Sequence, residues 1–230
     1  MSQLKHLVIL TGAGISAESG IKTFRDSGGL WEEYDVTEVA TPMAWAKDSN
    51  LVLRFYNERR RQLKECKPNA GHARLASLEK HFDVQIITQN IDNLHEQAGS
   101  TRVLHLHGEL TKARSTADKS LVYDIGFRDI NPGDYCEKGS QLRPHIVWFG
   151  EEVPMMDEAV SITATADIFI VIGSSLNVYP AAGLISYAPP KASLWLIDPA
   201  DVSVPLYRKV EVIKEKASVG IEILTHRLLK

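Results

Sequence analysis

The chain has 230 residues, of which 44% are hydrophobic and 24% charged, with a net charge of −3 and two cysteines. That balance belongs to a folded chain of one domain, or one domain with a sizeable insert. It excludes a broad basic surface for nucleic acid, a membrane span (no apolar run of about 18 residues) and a disulfide framework. Cys66 and Cys136 stand far apart in unlike contexts, which fits a reducing, cytoplasmic location.

The first element is the apolar run Leu7 to Leu10, read as a buried parallel strand. The start, MSQLKHLVILTG, runs straight into it and is a core strand rather than a signal peptide. The run breaks into Gly12, Ala13 and Gly14, followed by a short helical piece over 15–19. Strand, glycine turn and helix start form an anion site, because glycines let backbone N–H groups approach a phosphate. The glycine spacing matches neither the dinucleotide fingerprint nor a P-loop. Next, IKTFRDSGGLWEEYD reads as a long polar loop close to the first strand.

Residues 42–66 are helical by pattern, with Pro42 at a first helical position after Thr41 and Asn50 as the cap of LVLRFYNERRRQL. A further helix covers 68–82, capped by Asn69. Then DVQIIT is a strand, NLHEQAG a short helix closed by Gly99, and RVLHLHG a strand ending at Gly108. Residues 109–144 break the rhythm and read as a small insert with only weak strand signals. After it come a strand HIVWFG, a helix MDEAVSITATA, the strand DIFIVIG, a helix PAAGLISYA, the strands SLWLID and KVEVI, and an amphipathic closing helix from Ala217. Apolar strands alternating with helices predict an α/β fold, a parallel sheet covered on both faces. Ligands in such sheets sit beyond the carboxyl ends of the strands. There the chain places Gly12 to Ser16, Gln89 to Asp92, His107, Trp148 to Glu151, Gly173 to Ser175 and Asp198. His105 and His107 lie two apart, so both suit one face of a strand, and chemistry alone leaves either as the general base.

TGAGISAESGI, FRD, TQNID, HLHG, VWFGE and IGSSLNVYPAA occur in this order and tile the chain. The set resembles the sirtuins, NAD-dependent protein lysine deacylases, and within them the small bacterial desuccinylase type. The resemblance implies a Rossmann-like doubly wound sheet over 1–28, 83–108 and 146–230. A helical module at 29–82 and the insert at 109–145 together make the small domain. It implies NAD contacts from Gly12, Ala13, Gly14, Ser16, Glu18, Phe24, Arg25, Gln89, Asn90, Ile91, Asp92, His107, Gly173, Ser174, Ser175, Asp198 and Ala217. Phe24 resembles the aromatic that covers the reacting sugar and keeps water out. Asn90 and Gln89 orient the ribose and a water, and Asp92 holds the nicotinamide carboxamide. The histidine followed by glycine, His107, takes the place of the catalytic base, which leaves Asn90, Asp92 and His107 as the catalytic set. Asp198 stands where the family commonly has asparagine, and an aspartate accepts from ribose hydroxyls but cannot donate. Val147, Phe149 and Gly150 belong to an edge that pairs with the substrate backbone and walls the lysine tunnel.

Tyr56 and Arg59, three apart on a helix, match the tyrosine–arginine pair of the desuccinylase group. A succinyl or malonyl chain ends in a carboxylate, which an arginine grips with two charge-assisted bonds while a tyrosine adds a third donor. The bland alternative is that Arg59, Arg60 and Arg61 form a solvated helix face. The family's structural zinc needs two cysteine pairs; the insert holds only Cys136 and reads TKARSTADKS where a first pair would stand, so no zinc is expected. Tyr123, Ile125, Phe127 and Tyr135 are available to pack it instead. The implied activity is removal of succinyl or malonyl groups from protein lysine, giving nicotinamide and O-acyl-ADP-ribose. Acylated proteins or peptides are the partners, and the chain is expected to be a monomer. The alternatives are mainly deacetylation, mono-ADP-ribosyl transfer, or a sensor of NAD or ADP-ribose.

Overall fold

The computed structural model describes residues 4–21, 34–202 and 208–229. Six parallel strands form the main sheet: β1 (His6–Thr11), β2 (Asp83–Thr88), β3 (Val103–His105), β7 (Ile168–Ile172), β8 (Ser193–Ile197) and β9 (Val210–Ile213). Their order is β3-β2-β1-β7-β8-β9, a doubly wound, Rossmann-like arrangement whose direction reverses between β1 and β7. Thr11 pairs in register with Thr88 and Ile172, Thr88 with His105, and Ile172 with Ile197. The strands therefore end on one row, and the residues that follow them open on one side.

The apolar strands are buried on both faces, as parallel sheets require. Leu7, Ile9, Ile86, Ile170 and Ile197 pack with Leu75, Ile221 and Leu224. These come from two helices on that face, α4 (Ala70–Ser77) and α7 (Ala217–Leu228). Val8, Leu10, Phe169, Val171 and Leu196 pack on the other face with Ala159, Leu184 and Ile185. Ala159 lies in α6 (Met156–Thr163). Each such fully buried side chain contributes roughly 1.5–3 kcal/mol.

A second layer joins the middle of the chain. Helix α3 (Ser49–Glu65) packs on a three-stranded antiparallel sheet in the order β5-β4-β6, formed by β4 (Gly108–Ser115), β5 (Val122–Asp124) and β6 (Leu142–Ile146). Phe55, Tyr56 and Leu63 of the helix meet Leu110, Ile146 and Trp148, and Leu53 meets Ala113, Ile125 and Ile130. Two polar side chains stitch the layer. Asn57 Nδ2 donates to Ile130 O at 2.9 Å, and Arg60 Nε donates to Leu110 O at 2.6 Å.

Several boundaries differ from the sequence reading. The 42–66 helix is two, α1 (Val36–Val39) being followed by α2 (Pro42–Lys47) and then α3. Asp48, not Asn50, caps α3, its side chain accepting from Leu51 N at 2.9 Å. Aspartate two places earlier reaches the first free amides, a turn of chemistry the apolar spacing does not reveal. The pieces after Gly12 are two 3₁₀ turns, Ala13–Ile15 and Ala17–Ser19, and Ala181–Tyr187 is also 3₁₀. Asn69 does cap α4, with His72 completing a capping box, and Gly99 closes α5 (Leu94–Gln97) at φ +99°.

The strand expected over 102–108 covers only Val103–His105, and Gly108, at φ +78°, starts β4. A Cβ there would stand 2.0 Å from His145 O, so β4 and β6 can meet only at a glycine. The strand expected over 145–150 stops at Ile146, because Trp148 N donates to Glu151 Oε2 at 2.8 Å rather than to a neighbouring strand. The weak strand signals of the insert are the antiparallel sheet itself. Ile125 and Ile130 pack it from inside, whereas the Tyr135 side chain is 62% exposed and its backbone bridges to Gln141.

At the place of the cysteine pairs, Ser115 Oγ accepts from Ala117 N, from Asp118 N and from Cys136 Sγ, the last at 3.4 Å. Lys138 Nζ closes the two turns on Asp118 Oδ2 at 2.7 Å. One thiol and a protonated hydroxyl do not fit a four-thiolate zinc. Among the described residues no group of three or more His, Cys, Asp or Glu side chains is placed to hold a metal ion.

Candidate active site

The row of strand ends is closed by backbone packed on backbone. Gly12 N donates to Ile172 O at 3.0 Å and Gly14 N to Gly173 O at 2.9 Å. A Cβ on Gly14 would sit 2.5 Å from Gly173 Cα, and one on Gly12 2.7 Å from Gly173 O. Gly173 itself has φ +59°. These glycines make the switch point tight enough for β1 and β7 to meet directly below a ligand.

Above this floor opens a cavity of about 760 Å³, the size range of cofactor sites. Gly12, Ala13, Gly14, Ser16 and Glu18 line it after β1; Gln89, Asn90, Ile91 and Asp92 after β2; His107 after β3; and Gly173, Ser174 and Ser175 after β7. Asp198 follows β8, and Ala217 opens α7. Val147, Phe149 and Gly150 line the same cavity, and so do Tyr56 and Arg59 of α3. Phe24 and Arg25 lie outside the described residues.

The polar side chains are tied to one another. Asn90 Nδ2 donates to Gly12 O at 3.1 Å and to Ser16 Oγ at 3.2 Å; Ser16 Oγ donates to Asp92 Oδ2 at 3.0 Å. Asp92 Oδ1 also accepts from Leu94 N at 3.1 Å, so the carboxylate caps α5 as well as facing the cavity. Burial raises the Asp92 carboxyl above its ordinary range, against the pull of those two bonds. Gln89 Nε2 donates to Ser174 Oγ at 2.9 Å. Glu18 is spoken for differently: its oxygens accept from Ser218 N and Ser218 Oγ at 3.0 and 2.7 Å, pinning the start of α7 beside the cavity.

The two histidines separate. His105 bonds to Asn90 O at 3.1 Å and to Glu96 Oε1 at 2.8 Å, away from the cavity. Burial alone would lower it, but Glu96 holds it above the ordinary histidine value. His107 Nδ1 meets Gln89 O at 2.9 Å. A carbonyl only accepts, so Nδ1 carries the hydrogen and Nε2 keeps the lone pair. Burial lowers His107 below the ordinary value, opposed by the Gln89 bond, so the imidazole is neutral at neutral pH. A neutral Nε2 in a cavity beside amides and a carboxylate is a base.

The three consecutive arginines of α3 take three different places. Arg61 is exposed and paired with Asp129; Arg60 is fully buried as a strut; Arg59 lines the cavity with its guanidinium 5.2 Å from the Phe55 ring centre. The solvated-face alternative holds for Arg61 alone. Tyr56 is 3% exposed, and burial pushes its phenol up to about 12. The N–H groups of the 147–149 segment go to His107 O, Glu151 Oε2 and Ala40 O. Phe149 stands half exposed.

The sequence reading placed Trp148 at a strand end without giving it a role, and it missed Tyr179 and Lys216; all three line the cavity. Trp148 was legible only as the neighbour of Val147 and Phe149, and Lys216 as the residue before a helix.

A doubly wound α/β chain with a neutral base in a nucleotide-sized cavity at its switch point defines the class. The Sir2 family matches over residues 12–180, and the chain belongs to that family. It is 53% identical to an NAD-dependent protein deacylase of Bacteroides thetaiotaomicron, over 98% of this chain and 99% of that one. It is 54% identical to a protein of the same name from Helicobacter pylori, over 99% and 97%. A Sir2 homologue solved with NAD superposes with a TM-score of 0.87 at 39% identity, covering 99% of this chain and 91% of that one. A variant Sir2 homologue with ADP-ribose gives 0.89 at 39%, covering 98% and 94%.

Proposed function

We infer that this Sir2-family chain, an NAD-dependent protein deacylase, removes acyl groups that end in a carboxylate, succinyl and malonyl, from protein lysine. The observation that carries the reading is that Tyr56 and Arg59 share one cavity with His107, Asn90 and Asp92. The residues present fit NAD: a backbone-tight glycine floor for phosphate, an amide and hydroxyl network above it, and room for a dinucleotide. When bound, NAD supplies the nicotinamide–ribose bond that breaks and the ribose that receives the acyl group.

Asp92, held by Ser16 and Leu94, presents a carboxylate to an amide of the nicotinamide end. Asn90, anchored on Gly12 O, orients a ribose hydroxyl. His107 Nε2 takes the proton from that hydroxyl, and its Nδ1–H stays on Gln89 O, which keeps the ring in place. Ser174, Ser175 and Asp198 hold the adenosine side beside Ala217. Arg59 and Tyr56 grip the acyl carboxylate with charge-assisted bonds; a plain acetyl offers them no carboxylate to bind.

The cavity is built from one chain, so a monomer suffices. Two free thiols, Cys66 and Cys136, support a cytoplasmic location, and among the described residues no helix is long and apolar enough to cross a membrane. We read 1–28, 83–108 and 146–230 as the NAD-binding domain and the rest as the small one.

The test is nicotinamide release from NAD with acetyl, succinyl and glutaryl forms of one peptide. Release that requires peptide and favours the acidic forms supports the reading. Equal or faster release with acetyl means a deacetylase, release without peptide means ADP-ribosyl transfer, and binding of NAD without release means a sensor.

A further inference from the structure

Behind the acyl end of the cavity stands an apparatus that the reaction as described does not use. Trp148 is 2% exposed, and its indole Nε1 donates to Tyr56 Oη at 3.1 Å. Trp148 is held at its ring and at its backbone. The Arg143 guanidinium lies over its ring at 3.2 Å from the centre, and its own backbone N–H is held by Glu151. Glu151 in turn accepts from Arg143 Nη1 at 2.9 Å and from Arg114 Nη2 at 3.0 Å. The three side chains are only 9%, 7% and 15% exposed for Arg143, Arg114 and Glu151.

Burying two guanidiniums and a carboxylate is expensive, and ordinary packing on Tyr56 does not need it. What the clamp does fix is one hydrogen-bond direction. An indole nitrogen can only donate. Its bond fills an acceptor position on the phenol oxygen and leaves the phenol to act as a donor. A phenol kept neutral, lining the cavity one helical turn from Arg59, then offers a hydrogen where an acyl carboxylate ends. Two guanidiniums on one carboxylate also leave one positive charge in excess behind that wall, which favours an anion in front of it.

We propose that Trp148 is a specificity-determining positioning residue: its indole N–H commits the Tyr56 hydroxyl to donate to the carboxylate of an acidic acyl chain, and Arg143, Glu151 and Arg114 hold the indole there. The assignment rests on the acidic-acyl reading above.

The experiment measures kcat and KM for succinyl and acetyl versions of one peptide. It compares the unaltered enzyme with Trp148→Phe, Glu151→Gln, Tyr56→Phe and the Tyr56→Phe/Trp148→Phe pair. Thermal shifts with ADP-ribose check that each is folded. In Trp148→Phe the succinyl-to-acetyl ratio of kcat/KM falls about tenfold, the size of one charged hydrogen bond, and the fall lies in KM for the succinyl peptide. Glu151→Gln, which loosens the clamp without touching the indole, gives a smaller fall of the same sign and stands in if Trp148→Phe does not fold. In the Tyr56→Phe background Trp148→Phe lowers the ratio no further, because the hydroxyl it acts through is gone. A further fall there overturns the proposal, since Trp148 then acts by packing. An unchanged ratio in both Trp148→Phe and Glu151→Gln, with the unaltered enzyme favouring succinyl, overturns it while the acyl reading survives. An unaltered enzyme that does not favour succinyl overturns both.

Discussion

The floor of the cavity and its acyl wall are built in opposite ways. The floor is backbone against backbone: Gly12, Gly14 and Gly173 meet with no space for a single Cβ. The acyl wall is side chain against side chain, with Tyr56, Trp148, Arg143 and Glu151 joined by directed bonds. On the function proposed, a backbone floor meets only phosphate and sugar and serves any acyl substrate equally. A side-chain wall can change what it accepts by one substitution. Damage to the floor should therefore lower turnover of all acyl peptides together, while damage to the wall should change their ratio.

The largest effect belongs to the floor. Gly14→Ala places a methyl 2.5 Å from Gly173 Cα, and neither strand can retreat from a six-stranded sheet. Turnover of succinyl and acetyl peptides is lost together, and NAD no longer raises Tm; a variant that keeps the NAD-induced shift contradicts the account of the floor. His107→Ala comes next. Loss of a positioned base lowers kcat by about 10²–10⁴-fold for both peptides, with ADP-ribose binding retained by calorimetry. The same histidine sets the acid limb of kcat/KM. Protonation removes the base, so activity rises with pH through its pKa, and burial puts that limb below the ordinary 6.5. A limb centred above 6.5 would place the titration on another group.

Smaller effects separate the two neighbours of Arg59. Arg60→Ala strips the bonds to Leu110 O and Asn57 Oδ1 and leaves a hole between α3 and β4. It should cost about 2–4 kcal/mol in denaturant unfolding, with the acyl ratio unchanged. Arg61→Ala removes only an exposed pair with Asp129 and should shift stability by less than about 0.5 kcal/mol.

The floor was the more legible of the two regions in the sequence. Apolar strands followed at once by glycine, amide or carboxylate place Gly12, Gln89, Gly173 and Asp198 on one row, and the sheet register does the same. The cap at Asn69 and the stop at Gly99 were equally local and equally readable. The wall depends on contacts between residues far apart. Trp148 meets Tyr56 across 92 positions, and Arg114 meets Glu151 across 37. No period in the chain announces such pairs. The run HIVWFG has the composition of a strand, yet beyond Ile146 its amides are drawn to His107, Glu151 and Ala40 and β6 ends. Three consecutive arginines likewise look alike in sequence. Only the packing of α3 on the antiparallel sheet sends one to the cavity, one to the core and one to solvent.

Selection of an acidic acyl chain by the wall is the central claim, and one ratio addresses it most directly. The kcat/KM of succinyl over acetyl versions of a single peptide is measured for the enzyme and for Arg59→Met. The enzyme should favour succinyl by about tenfold or more, and Arg59→Met should erase or reverse that preference while NAD still binds. A ratio that stays the same in Arg59→Met, or an enzyme that favours acetyl from the start, contradicts it.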